Sequence, residues 1–503
     1  MMIKRLNVIV LMLGLFLLQT GIDVETAHAI GSVLTVTGYG DFSDLNPGDG
    51  VCDTLSALAG DQCSLRAAIE ELNAQGPDPS GDPHRINFNI VIGTGPFIIT
   101  PATPLPEITV PVQIRGQSQP GATCPTDNSP ANLLIVLDGS SAGADATGLT
   151  LGDDSDGSTI RGLVIGNFTN FGIHIKSDDN KVRCNHIGLG ADGVTPMGNE
   201  VTGVHIWGWS NKIGGGLNPG QRNVISDNGM NGIRLSSAEA NLIKGNYIGT
   251  TADGMSPLGN FAGIYLDSDN NIIGTSSSVY RNVISGNTSY GIRVNSGSDN
   301  LIQGNYIGVA QDGTSPVPNG VDGIQLFGAA ENNFIGGTVA SEGNIIAYNG
   351  DNGILVITGI TGTPIQNGIR QNAIYENAGL GIELGEYDGP DSNDIGDVDS
   401  GENERQNYPM LTASAISGTI DVVLESEANL LYSVDIYRND SCDGSGFGEG
   451  QEYLTTQLVM SDAYGLAAFS STLTGTVPGD NITATVTNPF GSTSEFSACI
   501  VIN

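Results

Sequence analysis

Charged side chains are scarce in this sequence, and basic ones most of all. Asp, Glu, Lys and Arg make up 14% of the 503 residues, against roughly 25% in an average globular protein. Helical bundles expose rows of Lys and Glu, so this composition does not fit them. The 18 Lys and Arg against 54 Asp and Glu leave a net charge of −36. Because phosphate binding requires clustered Lys and Arg, this charge argues against a nucleic-acid partner.

Several motifs of catalytic and cofactor-binding proteins are also absent from the sequence. The six cysteines include no C-x-x-C pair, so a redox or zinc motif of that type is not expected. There is no Ser-His-Asp spacing, no P-loop and no dinucleotide fingerprint. The sequence therefore does not indicate any of the enzyme classes that those motifs mark.

Long hydrophobic stretches are missing except near the N-terminus. Lys4 and Arg5 precede an apolar run, Val8–Leu18, and Ala27–Ala29 forms a cleavage site of the A-x-A type. The run is shorter than the ~20 residues that span a bilayer. We therefore predict a signal peptide over 1–29, a secreted or surface-attached protein, and no membrane-spanning segment.

Glycine, by contrast, is abundant, and it marks a repeat. An Ile follows glycine about every 30 residues in the middle of the chain, at Gly232, Gly263, Gly291, Gly323 and Gly353. Two more short β-branched segments follow in each unit, each introduced by Asn. One unit cannot bury its own apolar face, so the units must stack. The repeat therefore predicts an all-β protein with a parallel β-helix, a solenoid of three-stranded rungs.

Two sets of side chains should hold this solenoid together. The apolar set should point inward and form the core, and it includes Ile233, Ile264, Ile292 and Ile324. The polar set consists of the repeated asparagines Asn241, Asn271, Asn300 and Asn333. Asparagine tolerates left-handed turns, and its amide stacks in hydrogen-bonded ladders. We interpret both sets as structural.

The segment Cys63–Ala74 is predicted to be a short helix that closes one end of the solenoid. Its apolar residues have helical spacing, Ser64 is a plausible N-cap, and Gly76 with the following proline ends the helix. The segment resembles the CSLREA signature near the start of secreted bacterial β-helix proteins, with Ala67 where that family has Glu. The repeats resemble the right-handed parallel β-helix repeat family, which implies the handedness.

From Tyr408 onward the hydrophobic residues alternate, as in Thr419–Leu424 and Tyr432–Tyr437. Short alternating strands with regular turns predict a C-terminal β-sandwich of immunoglobulin-like type. The predicted organisation is a signal peptide, an N-terminal CSLREA-type cap, a β-helix, an acidic linker and a sandwich, over 1–29, 30–84, 85–387, 388–407 and 408–503.

Sequence proximity predicts how the six cysteines pair. Cys52 and Cys63 lie in one segment, and Cys442 and Cys499 share the C-terminal module, which leaves Cys124 and Cys184 for each other. Three disulfide bonds fit an oxidising, extracellular compartment.

One outward face of the solenoid is the candidate ligand site. In each Gly-Ile-x-Leu strand the x residue and the residue after Leu point outward, and stacking turns these positions into columns. The columns contain His174, His205, Trp207, Arg234, Tyr265, Arg293 and Phe327. Their rings can stack on sugars and their guanidinium groups can pair with acidic sugars. Most other cations are expected to lie singly elsewhere.

A catalytic version of this face is the alternative. Polysaccharide lyases with a β-helix fold need calcium carboxylates and a strong base, and glycosidases need two carboxylates ~5–9 Å apart. Asp267, Asp269 and Arg293 are candidates for either chemistry.

The acidic segment is a candidate metal site. Asp397, Asp399, Gly401 and Asn403 follow a D-x-D-x-G-x-N spacing, which alternates oxygen ligands around a glycine as a hard cation requires. Further oxygen ligands are available at Asp391, Asn393 and Asp394. The site would hold a structural Ca²⁺; a flexible acidic linker is the alternative. No other cofactor is expected.

These features together predict a secreted or surface protein with a binding or structural role toward extracellular polysaccharide or a cell surface. We expect a monomer. A lyase or glycosidase acting on acidic glycans, and an inert scaffold, are the alternatives.

Overall fold

The computed structural model describes residues 31–54, 62–124, 127–216, 220–385, 389–416 and 418–503. The predicted signal peptide, 1–29, lies outside the described residues. Within them the chain forms a right-handed parallel β-helix followed by a β-sandwich, which confirms the predicted fold. In this part of the chain no helix has the length and hydrophobicity needed to cross a membrane.

Three parallel sheets build the walls of the solenoid, with eleven, ten and nine strands among the described residues. The strands of the first sheet are Val33–Val36, His84–Phe88, Val112–Arg115, Thr159–Arg161, Lys181–Arg183, Lys212–Gly214, Leu242–Lys244, Ile272–Gly274, Leu301–Gln303, Phe334–Gly336 and Gly368–Arg370. Those of the second sheet are Phe97–Ile99, Ile135–Asp138, Leu163–Gly166, His186–Ile187, Val224–Ile225, Tyr247–Ile248, Val283–Ile284, Tyr306–Ile307, Ile345–Ala347 and Ala373–Tyr375. Those of the third sheet are Leu149–Leu151, Ile173–Ile175, Thr202–Ile206, Asn231–Ser236, Ala262–Asp267, Ile292–Asn295, Ile324–Phe327, Ile354–Ile357 and Ile382–Leu384.

The core is a continuous apolar column inside the solenoid. The predicted inward residues pair in register from rung to rung, and each is 0% exposed: Ile233, Ile264, Ile292 and Ile324. Each strand has only two to six residues, so a rung contributes few apolar side chains of its own. Stability therefore comes from the stacking of identical positions in neighbouring rungs.

Asparagine ladders run along the three corners of the rungs. In each ladder an Asn side-chain oxygen accepts a hydrogen bond from the Asn one rung earlier; Asn271 Oδ1, for example, accepts the backbone N–H of Asn241 at 2.9 Å. The first ladder contains Asn180, Asn211, Asn241, Asn271, Asn300, Asn333, Asn367 and Asn403. The second contains Asn185, Asn223, Asn246, Asn282, Asn305, Asn344 and Asn372. The third contains Asn199, Asn228, Asn260, Asn287, Asn319, Asn349 and Asn377. The structural interpretation of these residues is confirmed.

The predicted helix covers the N-terminal end of the solenoid. It spans Leu65–Gln75 and begins after Ser64, whose hydroxyl accepts the N–H of Ala67 at 3.0 Å. Its last turn ends at Gly76, which has a φ of 75°. The strand Val33–Val36, which was predicted to belong to the cap, pairs in parallel with His84–Phe88 as the first strand of the first sheet. The cap and the solenoid therefore share one core.

All three predicted disulfide bonds are present. They join Cys52 to Cys63, Cys124 to Cys184, and Cys442 to Cys499.

The C-terminal module consists of two antiparallel sheets. One contains Met410–Ala413, Thr419–Glu425 and Leu466–Thr472, and the other contains Glu452–Met460, Leu431–Asn439, Asn481–Thr487 and Ile500–Val501. Outside this module, short 3₁₀ turns lie at Gly116–Ser118, Gly139–Ser141, Ser278–Tyr280, Ala340–Glu342 and Glu402–Arg405.

This module is attached to the last rungs of the solenoid by polar contacts. Arg370 donates two hydrogen bonds to the buried carboxylate of Asp435, at 2.8 and 2.9 Å. Glu449 accepts two hydrogen bonds from Asn377 and so ends the third ladder. Burial raises the pKa of Glu449 to about 7. The module therefore caps the C-terminal end of the solenoid.

Candidate functional site

The predicted ligand site is the outer surface of the third sheet, here called the ligand face. The strand register places its central residues in one column, in the order His174, His205, Arg234, Tyr265, Arg293 and Gln325. A second column on the same face contains Ser236, Asp267, Asn295 and Phe327. The register therefore puts these residues in two neighbouring columns of one sheet, and their role in ligand binding stays a prediction.

Two stacked histidines and a tryptophan form the N-terminal part of the ligand face. The rings of His174 and His205 are nearly parallel, with centroids 5.1 Å apart. Trp207 stands edge-on to both rings, and its indole N–H donates to His205 Nε2 at 3.0 Å. Phe171 packs edge-on against both histidines from the other side. These contacts fix the indole in one orientation while 49% of Trp207 remains exposed.

Both histidines are neutral at neutral pH. Burial is the main cause, and nearby positive charge adds to it. The pKa of His174 is lowered to about 4, with Lys176 as the second cause. The pKa of His205 is lowered to about 3, with His174 and then Arg234 as the further causes. Trp207 therefore lies on an uncharged support.

The middle of the ligand face contains an ion pair. Arg234 donates to Asp267 at 2.8 Å, and the side chain of Asn295 donates to the other carboxylate oxygen at 2.7 Å. Asp267 is therefore neutralised by its neighbours in the adjoining rungs.

Arg293 is surrounded by aromatic rings rather than by carboxylates. Its guanidinium carbon lies 4.4 Å from the ring centre of Phe327, 5.3 Å from that of Tyr290 and 5.8 Å from that of Tyr265. Tyr265 lies between Arg293 and Arg234, whose guanidinium carbon is 5.3 Å from the same ring. Burial raises the pKa of Tyr265, and Asp267 adds to this, while the two arginines act in the opposite direction.

The two candidate catalytic carboxylates lie in different elements and have different hydrogen-bond partners. Asp267 ends a strand of the third sheet, whereas Asp269 lies in the following turn and accepts the backbone N–H of Ser298 at 2.7 Å. Asp269 belongs to an acidic row along the turns, where its charge and that of Glu331 add to burial in raising the pKa of Asp299. Each carboxylate therefore has its own partners, and a catalytic role for Asp267 or Asp269 stays a prediction.

Sequence reasoning missed part of the aromatic surface. Trp209, two residues beyond Trp207, is 52% exposed, and Phe261 and Met230 are 50% and 48% exposed beside the third sheet. The available signal was composition, because the chain has only two tryptophans and both are here.

The expectation that the remaining cations lie singly was wrong. Arg115, Arg161 and Arg183 are in register in the first sheet, and so are Lys181 and Lys212. Stacking brings together residues that look isolated in sequence whenever they occupy the same position of successive repeats.

The acidic segment brings together a different set of oxygen ligands from the predicted one. Carboxylate oxygens of Asp394, Asp397 and Asp399 lie within 4.8 Å of one another. Asn403 is instead the last member of the first asparagine ladder, and the carbonyl of Gly401 accepts the N–H of Glu404 at 3.0 Å. Asn403 is held in the ladder and the carbonyl of Gly401 is held in the turn, so the predicted D-x-D-x-G-x-N set does not assemble as such.

Hydrogen bonds hold this acidic segment against the sandwich. Asp397 accepts the backbone N–H of Asn407 at 3.0 Å and is also bound by the side chains of Gln406 and Ser426. Burial, the largest cause, raises the pKa of Asp397 to about 6. A bound cation would favour the ionised form, so the carboxylate set fits a hard divalent ion such as Ca²⁺. Ca²⁺ binding at this place stays a prediction.

Comparison with known proteins gives structural similarity only. No protein-family model matches the sequence, and a search of curated proteins found no match. A mannuronan C-5 epimerase A-module from Azotobacter vinelandii (AlgE4) is 15% identical, with 69% of this chain and 97% of that chain covered and a TM-score of 0.39. ORF18 of Geobacillus virus E2 is 14% identical over 92% of this chain and 86% of that chain, with a TM-score of 0.35. Similarity at this level carries no information about activity, so function has to be argued from the residues of this chain.

Proposed function

We propose that the protein binds an extracellular polysaccharide along the ligand face. The observation that carries the proposal is Trp207, a half-exposed ring fixed by two buried neutral histidines. An aromatic ring that is exposed yet held in one orientation costs little entropy when a ligand stacks on it. Trp209 and Phe261, which adjoin strands of the same sheet in sequence, are also half exposed.

The shape of the ligand face suits a linear polymer. Five rung intervals separate His174 from Gln325, and at roughly 4.8 Å per interval the column is about 24 Å long. An extended sheet face of this length offers contacts at several successive rungs to a chain that itself repeats. It offers little to a compact small molecule, which prefers a concave pocket.

Binding is better supported than catalysis because two candidate proton-transfer groups, His205 Nε2 and Asp267, are already engaged. His205 Nε2 contacts both the indole N–H of Trp207 and the hydroxyl of Ser236 at 3.1 Å. Asp267 is paired with Arg234 and Asn295. The pKa of Tyr265 is raised above its ordinary value of 10.0, so its hydroxyl is protonated at neutral pH and cannot act as a base there.

A glycan array probed with the protein lacking residues 1–29 tests the proposal. Trp207→Ala should lose most of the binding to every glycan that the unaltered protein recognises, since a stacked ring at the centre of a contact typically contributes ≥ ~2 kcal/mol. Tyr464→Ala is the matched control, because Tyr464 is 90% exposed but lies in the C-terminal module. Equal binding by both variants would exclude the ligand face as the binding surface.

Each glycan bound on the array should then be incubated with the protein, with calcium and with chelator. Reducing ends and unsaturated products are measured over time. Product formation that Trp207→Ala abolishes would replace binding by a lyase or glycosidase activity on the same face.

A further inference from the structure

We propose that the ligand of this face is an anionic polysaccharide and that Arg293 binds its carboxylate. This inference rests on the proposed polysaccharide binding and adds the chemical class of the ligand. It also distinguishes Arg293 from Arg234, which the sequence pattern treats as equivalent.

Among the described residues of the ligand face, Arg293 is the cation without an ion-pair partner. Lys176 is paired with Glu107 at 2.7 Å, and Arg234 is paired with Asp267 at 2.8 Å. The two histidines are neutral at neutral pH. Among the described residues no carboxylate forms an ion pair with Arg293, which distinguishes it from Arg234. The buried Nε of Arg293, like that of Arg234, has no hydrogen-bond partner among these residues.

Arg293 keeps no carboxylate partner although the chain has three times as many acidic as basic residues. The three rings around Arg293 explain how the charge is retained without a carboxylate. The negative face of an aromatic ring attracts a guanidinium group but does not neutralise it. The rings at 4.4, 5.3 and 5.8 Å also limit the rotamers of the side chain. The guanidinium is therefore charged, partly desolvated and held in place before any ligand arrives.

These are the properties of a carboxylate receptor. A planar guanidinium binds a carboxylate through two parallel hydrogen bonds, and desolvation strengthens the attraction. Tyr265 lies in the adjoining rung, and its hydroxyl has no partner among the described residues. Because that hydroxyl remains protonated, it can donate a further hydrogen bond to a ligand oxygen.

The distance between Trp207 and Arg293 determines how long a ligand must be to contact both. Ile206 pairs with Leu235 and Leu266 pairs with Val294, so the residues that follow them, Trp207, Ser236, Asp267 and Asn295, succeed one another along the second column. Arg293 lies in the rung of Asn295. Three intervals of roughly 4.8 Å place the carboxylate site about 14 Å from the stacking site. One sugar cannot contact both. The ligand is therefore a chain that carries an acidic sugar at one position and presents a sugar face at another.

The inference is tested by comparing the binding of two ligands. One is an oligouronate, and the other is the same oligosaccharide after its carboxyl groups have been reduced to alcohols. The unaltered protein should bind the oligouronate more tightly, and the difference should shrink as salt is added. Arg293→Gln should weaken oligouronate binding about 10- to 100-fold, because a hydrogen bond to a charged group is lost. The same variant should bind the reduced oligosaccharide as the unaltered protein does.

Arg281→Gln is the matched control. Arg281 also stacks on a tyrosine, 4.2 Å from the ring centre of Tyr306, but it adjoins the second sheet. Its loss should leave binding of both oligosaccharides unchanged. If the unaltered protein binds the reduced form as tightly, or Arg293→Gln behaves like Arg281→Gln, the carboxylate site is refuted while polysaccharide binding stands. If Trp207→Ala also has no effect on either oligosaccharide, polysaccharide binding on this face is refuted as well.

Discussion

Replacing Asn271 by alanine should open the first asparagine ladder at one rung. Asn271 Oδ1 accepts both the backbone N–H and the side-chain N–H of Asn241, at 2.9 and 3.1 Å. Both asparagines are 0% exposed, so water cannot replace the lost acceptor. Each buried donor left without a partner costs about 1–3 kcal/mol. The two together predict a loss of about 2–6 kcal/mol of folding free energy.

Hydrogen exchange measured by mass spectrometry on peptides that contain Asn241 is the most direct assay. The amide is predicted to exchange at least roughly 30-fold faster in Asn271→Ala, because about 1.4 kcal/mol corresponds to tenfold. Peptides from the C-terminal module should keep their rates, since solenoid rungs contact mainly their neighbours. The melting temperature should also fall.

Asn270→Gly is the matched control for this experiment. Asn270 is exposed and has a φ of 58°, a conformation that glycine adopts without strain. This change should leave both exchange and melting nearly unaltered, within ~0.5 kcal/mol. The ladder would carry no stability, and the reasoning would be refuted, if Asn271→Ala could not be told apart from Asn270→Gly.

Three further predictions concern the core, the histidine pair and the acidic cluster. Ile264→Asp should cost several kcal/mol, because Ile264 is 0% exposed and lies in a core cluster of apolar side chains, where a carboxylate is buried without a partner; an unchanged melting temperature would contradict the register. Trp207 fluorescence in a Trp209→Phe background should stay constant from neutral pH to about pH 5 and change as the pH falls toward 3, when His205 protonates and loses the indole hydrogen bond. Since the folded pKa of His205 lies below the unfolded value of 6.5, its stabilising contribution is present above 6.5 and is lost as the pH falls from there toward about 3. Calorimetry should detect calcium binding to the unaltered protein and none to Asp399→Asn; equal heats, or no heat for either in the millimolar range, would remove the cluster as a site.

The repeat made much of the fold predictable. Residues at equivalent positions of successive units must lie one above another in a solenoid, so the inward column at Ile264 and the ladder at Asn271 could both be assigned from spacing. The pairing of Cys442 with Cys499 followed from their shared module. The sequence therefore predicts which residues lie one above another along the solenoid axis.

Contacts between side chains of different columns could not be predicted in the same way. The pattern placed Arg234 and Arg293 in one column but could not show that Asp267 neutralises the first and aromatic rings surround the second. Spacing likewise favoured Asn403 as a metal ligand, whereas the structure uses it to finish a ladder. These outcomes depend on rotamers and on the paths of turns with unequal lengths, which a periodic pattern does not specify.

The sequence alone thus determined the solenoid, its inward residues and its candidate face, because periodicity fixes which residues share a column. Only the tertiary structure decided which charge on that face is available to a ligand. A charge is available to a ligand only if no neighbouring side chain from another rung or column neutralises it. The distances between these side chains are set when the chain folds into the solenoid. Arg293 differs from Arg234 for this reason alone, since both follow a Gly-Ile pair in their repeats.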